Sequence, residues 1–316
     1  MHGGKTHGGI ESQPHDWVHG LVGGASPQSG VEGLMSLPDT AGLDPIFWLH
    51  HCNIDRLWQV WRTTSASHAD PSSPNWLKGP EVAGRDPFVL PKSEEADWTF
   101  TPEQMTDIAK LGYAYDDTSL PTGLPHPALR LERLGASPEA AHALARSQTM
   151  TASATAELLG ANKEAVRLVG SKAETAVALD ASISGKVAAS LQAIAAAAPS
   201  APDRVFLNLE NVRSNNDAVA FKVYVNLPSS ADPAQHPELQ AGSIALFGAS
   251  SASVADDTHA GDGLTYVLDI SHIIDAMHLA GNFPVGALSV RLVPVHPVPE
   301  SANVTVGRVS VFRQGN

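Results

Sequence analysis

One stretch, Asp44-Pro45-Ile46-Phe47-Trp48-Leu49-His50-His51-Cys52-Asn53-Ile54-Asp55-Arg56-Leu57-Trp58, constrains this chain more than any other. Asp44 is a good N-cap. Pro45 suits the first helical position, where its missing N–H has no partner to lose and its φ is already set. The stretch therefore starts a helix. Phe47, His51 and Asp55 follow one another at intervals of four, so an aromatic ring, an imidazole and a carboxylate share one helical face. Such a face suits a metal.

A second pair of imidazoles lies upstream in Glu11-Ser12-Gln13-Pro14-His15-Asp16-Trp17-Val18-His19-Gly20. Pro14 suits a helix start, and one turn brings His15 and His19 to the same side. Two His from one helix and a third from another make a three-nitrogen site with open coordination positions, fit for copper, zinc or iron. Taken alone, the pair reads more readily as surface His beside a core His, since short motifs match by chance. The second helix tips the balance toward a metal.

Asp-Pro-Ile-Phe-Trp-Leu-His-His-Cys-Asn-Ile-Asp-Arg resembles the second copper-site signature of tyrosinases, polyphenol (catechol) oxidases and molluscan haemocyanins, the type-3 copper proteins. Pro14 to His19, followed by Val22-Gly23-Gly24, is similar to the paired-His segment of the same site. The resemblance implies copper on His15, His19 and His51, with His50 a neighbour; spacing alone does not choose between His50 and His51, although the register with Phe47 and Asp55 favours His51. It further implies that Glu11 and Asp16 hold a water able to deprotonate a phenol. The alternative for Glu11 is to complement a helix N-terminus. Asp55 is expected to hydrogen-bond a ligand imidazole, Phe47 to pack against a ligand ring, and Arg56 to make a structural ion pair. Leu37 and Pro38 fall where the family places its substrate gate. Type-3 proteins carry another three-His site earlier in the chain, and only fourteen residues precede His15. The expectation is a first copper site missing from this chain, through truncation, cleavage or supply by a partner chain, which leaves the chain by itself inactive or weakly active.

Composition narrows the classes of partner. The net charge of −13 with no basic run argues against nucleic acid and anionic membranes. No apolar run reaches the length of a membrane span, and Met1 to Gly9 lacks the basic start and apolar core of a signal peptide. A soluble protein of unknown location with a neutral or small substrate is expected. The single cysteine, Cys52, excludes an intrachain disulfide. It reads as a small buried residue on the helix, with thiolate ligation as the alternative.

The fold class expected is α+β: a helical, copper-binding half-domain (1–68) followed at the far end by an antiparallel β-sandwich or jelly-roll-like domain (203–316). Trp58 and Trp61 are placed on the core side of the helix, and 65–91 reads as a surface connection. Residues 69–120, with Asp97-Trp98 and Leu111-Gly112-Tyr113, resemble the segment after the copper domain of plant-type polyphenol oxidases. Residues 121–202 form an Ala-rich mixed region and linker, with a helix after Ser137-Pro138-Glu139 and strands at 165–169 and 175–179. Alternating segments from Arg204 to Val311 read as short strands. This block resembles the plant-type C-terminal domain, on Phe221-Lys222-Val223-Tyr224-Val225-Asn226, which in the family can shield the copper site. His2, His7, His126, His142, His236, His259, His272, His278 and His296 are read as ordinary.

Three functions follow from the resemblance. The first is an oxidase that uses O₂ to turn o-diphenols, and monophenols after hydroxylation, into o-quinones. The second is a haemocyanin-like oxygen carrier, disfavoured by the plant-type segments. The third is a non-catalytic copper-binding fragment serving as an interaction module. A zinc hydrolase is conceivable from three His and a carboxylate, but the extended signature speaks against it.

Overall fold

Two short helical segments open the computed structural model, which describes residues 8–26, 30–65, 67–84, 86–90, 92, 96–120, 127–147, 155–196, 201–256, 260–284 and 286–315. His2, His7, His126 and His259 lie outside the described residues. A wide helical turn at Glu11–Asp16 continues into α1 (Trp17–Gly23). Tight turns at Leu34–Ser36 and Ala41–Leu43 lead to α2 (Pro45–Thr64). The chain folds as two compact units: the described residues up to Trp48 join those after Leu124 in the larger, and residues 49–124 form the smaller. Among the described residues, no helix is long and apolar enough to cross a membrane.

The smaller unit is held by polar anchors along α2 more than by a deep apolar core. Trp58 donates its indole N–H to Asp70 (3.0 Å), and Arg62 pairs with the same carboxylate (3.2 Å). Trp61, expected on the core side, is 39% exposed and lies flat on His68, with ring centroids 4.6 Å apart. The span 65–91, expected as a bare connection, contains α3 (Pro74–Lys78), capped by Ser73, and strand β1 (Phe88–Leu90). β1 pairs antiparallel with β2 (Trp98–Phe100), Phe88 opposite Phe100. Arg56, expected in an ion pair, donates to the Asn53 side chain and to the Asp117 carbonyl.

The larger unit continues with α4 (Pro127–Arg133), α5 (Pro138–Ser147), β3 (Thr155–Ala161), β4 (Val166–Leu168), β5 (Ala173–Leu179) and α6 (Ala181–Ala195). It is completed by β6 (Arg204–Arg213), β7 (Ala220–Val225), β8 (Gln240–Ala245), α7 (Ala249–Ala252), β9 (Leu264–Asp269), α8 (Ser271–Leu279), β10 (Ala287–Pro294) and β11 (Val304–Gly315). Strands form because β-branched residues alternate: Val205, Leu207 and Leu209 of β6 and Val304, Val306, Val309 and Val311 of β11 are buried. Their order is β8-β7-β10-β5-β3-β11-β6-β9, with β4 added on β11, and every pairing is antiparallel.

This is one sheet rolled on itself. The end strands β8 and β9 meet: the Tyr266 hydroxyl donates to the Ala245 carbonyl (3.1 Å), and a side chain at Gly242 would strike Leu268. The boundary expected at 202/203 does not coincide with the sheet, because β3 and β5 from the Ala-rich region sit in its middle. The linker expected after Ile194 is preceded by a full helix, α6, capped by Asp180 and buried through Val187, Leu191 and Ile194. α4 is tied to α8 by Arg130, which donates twice to Asp275 (2.7 and 3.0 Å) and once to the Asp203 carbonyl.

Candidate metal centre

Gln13 is extended (φ −149°, ψ 125°), and the continuous helical run begins at Pro14. That start sets His15 and His19 one turn apart, with ring centroids at 4.7 Å. His19 is fully buried and its Nδ1 lies 2.7 Å from the Met35 carbonyl oxygen. A carbonyl only accepts, so His19 carries its proton on Nδ1 and presents Nε2 as a lone pair. His15 Nδ1 lies 2.8 Å from Asp16 Oδ1, with the same consequence. Two imidazoles on one helical face thus have their tautomers set for binding through Nε2, the usual outer-shell arrangement of a metal-ligating His.

The Met35 carbonyl reaches His19 because two glycines let a turn lie against α1. A side chain at Gly23 would meet the Ser36 backbone nitrogen, and one at Gly33 would meet the Gly23 carbonyl. Gly24 has φ +56°, and its carbonyl accepts from Gly33 N–H and the Ser36 hydroxyl, both at 3.0 Å. Glu11 accepts from the Gly8 N–H at 3.1 Å, and Asp16 is 2% exposed. Leu37 is half-buried and Pro38 exposed in the turn that follows.

Phe247 is a residue that sequence reasoning missed. It follows β8 and stacks on His19, with centroids 4.0 Å apart and planes 18° apart, and meets His15 edge-on at 5.7 Å. Its turn is pinned by Asp217, which accepts from the Ser250 N–H (2.7 Å) and hydroxyl (2.8 Å). Burial raises the Asp217 carboxyl above its ordinary range. Glu32, raised chiefly by burial too, accepts from the Asp217 N–H at 3.0 Å. Buried Tyr266 is pushed well above the usual phenol range by burial and then by the charges of Asp16, Glu11 and Asp217. It stays a protonated donor.

On α2 the expected cap is in place, since the Ile46 N–H donates to Asp44 Oδ1 at 2.9 Å. Phe47 lies 6.0 Å from His19, ring centroid to ring centroid. His50 is 7% exposed, His51 is half-buried, and their rings are 5.3 Å apart. Cys52 is exposed, so the buried small-residue reading is corrected: its position on the helix faces outward. Asp55 takes its hydrogen bonds from Tyr113 (2.7 Å) and Tyr115 (2.6 Å), in place of the imidazole expected. Burial, then that hydrogen bond and charge, raise Tyr113 to about 12 and Tyr115 further. The Leu-Gly-Tyr segment thus clamps α2 one turn beyond His51.

Residues 1–64 match the family model for the common central domain of tyrosinase, and residues 155–314 match that for a domain of unknown function, DUF7868. The chain is 27% identical over 317 residues to tyrosinase HcTyr1 of Hahella sp. (strain CCB-MM4), covering 99% of this chain and 57% of that protein. It is 28% identical over 230 residues to the chloroplastic polyphenol oxidase of Malus domestica, covering 71% of this chain and 35% of that one. It therefore spans little more than half the length of the first relative and about a third of the second. Among solved structures, recombinantly expressed latent aurone synthase (polyphenol oxidase) matches with TM-score 0.55 and 17% identity, covering 98% of this chain and 53% of that one. Latent apple tyrosinase matches with TM-score 0.50 and 18% identity, covering 98% and 57%. Those identities speak to the fold alone, which is the expected α+β. With its rolled sheet inside the match that covers half of the chain, the chain belongs to the DUF7868 family, and its paired-His helix lies inside the match to the common central domain of tyrosinase.

Proposed function

We propose that His15, His19 and His51 hold a copper ion in an oxidase that converts o-diphenols to o-quinones, hydroxylating monophenols as an extension of the same chemistry. The observation that carries this is tautomer control: His15 and His19 each commit Nδ1–H to an acceptor, leaving two Nε2 lone pairs one turn apart. His51 follows Phe47 by one turn of α2, and Phe47 is the residue of that helix that meets the His19 ring. His15, His19, His50 and His51 are the group of side chains among the described residues suited to a metal ion. An all-imidazole donor set is of the kind copper takes.

Copper, when bound, supplies the electron transfer by which two o-diphenols reduce one O₂ to two waters. The chain's residues do the rest. Glu11 and Asp16 flank His15 and take the proton of the incoming hydroxyl through a held water. Asp16 also fixes the His15 tautomer. Phe47 packs beside His19, while Leu37 and Pro38 border the approach. Phe247 covers His19 from the C-terminal domain, and we read it as holding the centre closed, in keeping with relatives whose structures are described as latent.

A second reading, copper binding without turnover, is supported by the presence of a single such imidazole group among the described residues. Copper per chain and oxygen uptake on 4-methylcatechol, measured on one sample, decide. Uptake that scales with copper and vanishes in His51→Ala, but survives in His50→Ala, supports the oxidase. Copper bound without uptake supports the second reading. Copper loss in His50→Ala alone overturns the ligand assignment.

A further inference from the structure

Strands β3, β6, β9 and β11 leave a cleft of about 350 Å³ on the sheet face opposite the buried Val205, Leu207 and Leu209. Its lining is Ala156, Phe206, Asn208, Val267, Phe312 and Gln314. The register places Phe206 directly across from Phe312 and Asn208 across from Val267. Two aromatic rings therefore stand side by side with amides near them. Asn208 Oδ1 is buried and has no hydrogen-bond partner among the described residues. An unmet acceptor of this kind is unfavourable until a donor reaches it. A half-turn of the amide is a soft torsion that presents the oxygen to a ligand.

We propose that this cleft binds a neutral, hydroxyl-bearing aromatic ring, a simple phenol, as a subsite separate from the imidazole centre. The charges at its margin are already spent on each other: Arg204 donates to Asp269 at 2.7 Å and lies over the Phe206 ring at 4.8 Å. The cleft thus offers no net charge to an anion or cation. Phe206 and Phe312 present faces and edges for offset or edge-on stacking. The Asn208 and Gln314 amides supply one or two polar contacts, which match a ring with one or two hydroxyls. A pyranose carries too many hydroxyls for so apolar a lining. The volume lies at the lower end of the range for small-molecule sites. The metal-site helix α1 packs instead on β7 and β8.

The test is saturation-transfer NMR of p-cresol with the full chain freed of metal by EDTA, repeated with methyl glucoside. Binding of p-cresol is expected, weakened about tenfold or more by Phe206→Ala and by Asn208→Leu. Asn208→Leu keeps the size of the side chain and removes only its polar atoms, with thermal melts as the check on folding. Copper content after reloading the same variants stays at the wild-type level, which separates this cleft from the centre proposed above. Cresol binding unaltered in both variants, or a stronger response to methyl glucoside than to cresol, overturns the proposal.

Discussion

Phe247 lies flat on His19, with centroids 4.0 Å apart, although 228 positions separate them in the chain. The contact joins the helix that carries two imidazoles to the turn after β8. Phe247→Ala is expected to open the His19 ring to solvent and substrate. Turnover of 4-methylcatechol by the copper-loaded protein should rise about tenfold, equivalent to about 1.4 kcal/mol in the barrier. Losing a half-buried phenyl should cost about 1–3 kcal/mol of stability, read as a lower Tm. A variant that melts lower with unchanged turnover would show that the ring only packs.

Asp16 holds the proton of His15 on Nδ1 from 2.8 Å away while itself 2% exposed. Asp16→Asn keeps the shape but removes the charge, and its amide can turn a donor toward Nδ1, favouring the wrong tautomer. Copper affinity should fall about 10–100-fold, as measured by competition with a chelator of known affinity. Unchanged affinity would leave Asp16 only its proposed role with Glu11 in proton transfer.

Local chemistry made half of this centre legible. The Asp44 cap, the Pro45 start and the spacing of Phe47, His51 and Asp55 rest on helix rules that operate within a few residues. The partners of those side chains do not. Met35 serves His19 through a backbone carbonyl, which no side-chain pattern marks. Phe247 and Tyr266 arrive from the rolled sheet, and Tyr113 and Tyr115 claim Asp55 from about sixty positions away. The strands from Arg204 onward stood out because β-branched residues alternate there. β3, Thr-Ala-Glu-Leu-Leu-Gly-Ala, has helix-favouring residues at five of its seven positions and becomes a strand because β5 and β11 flank it.

Glu32 tests the pinning of the Phe247 turn through pH. Its carboxyl is raised above 4.5 chiefly by burial, with the Asp217 charge adding to the rise and the N–H groups of Ala218 and Asp217 opposing it. A raised native value means the folded chain holds the proton more tightly than the unfolded chain. This contribution is therefore greatest in acid and is lost as pH climbs through the native value. Glu32→Gln keeps an acceptor for both N–H groups and never ionises. Its Tm should exceed that of wild type at pH 7, on the order of 2 °C, and the difference should close as pH falls toward 4.5. A gap that widens in acid would reverse the assigned sign.

The clamp of Tyr113 and Tyr115 on Asp55 can be read directly from phenolate absorbance in the near ultraviolet. All four tyrosines of the chain sit above the ordinary value of 10.0: Tyr113 at about 12, Tyr115 higher, Tyr224 raised by burial, and Tyr266 well above. Wild type should therefore show little phenolate near pH 10. Asp55→Asn removes the charge and the strongest acceptor for two hydroxyls, so two of the four tyrosines should titrate lower. They should not return fully to 10.0, because burial is the larger cause of the shift. The lost charge-assisted hydrogen bonds should cost about 1–3 kcal/mol in a thermal melt. Copper content should hold, since the carboxylate serves the phenols and not an imidazole. A fall in copper content with no change in the phenol titration would restore Asp55 to the metal centre.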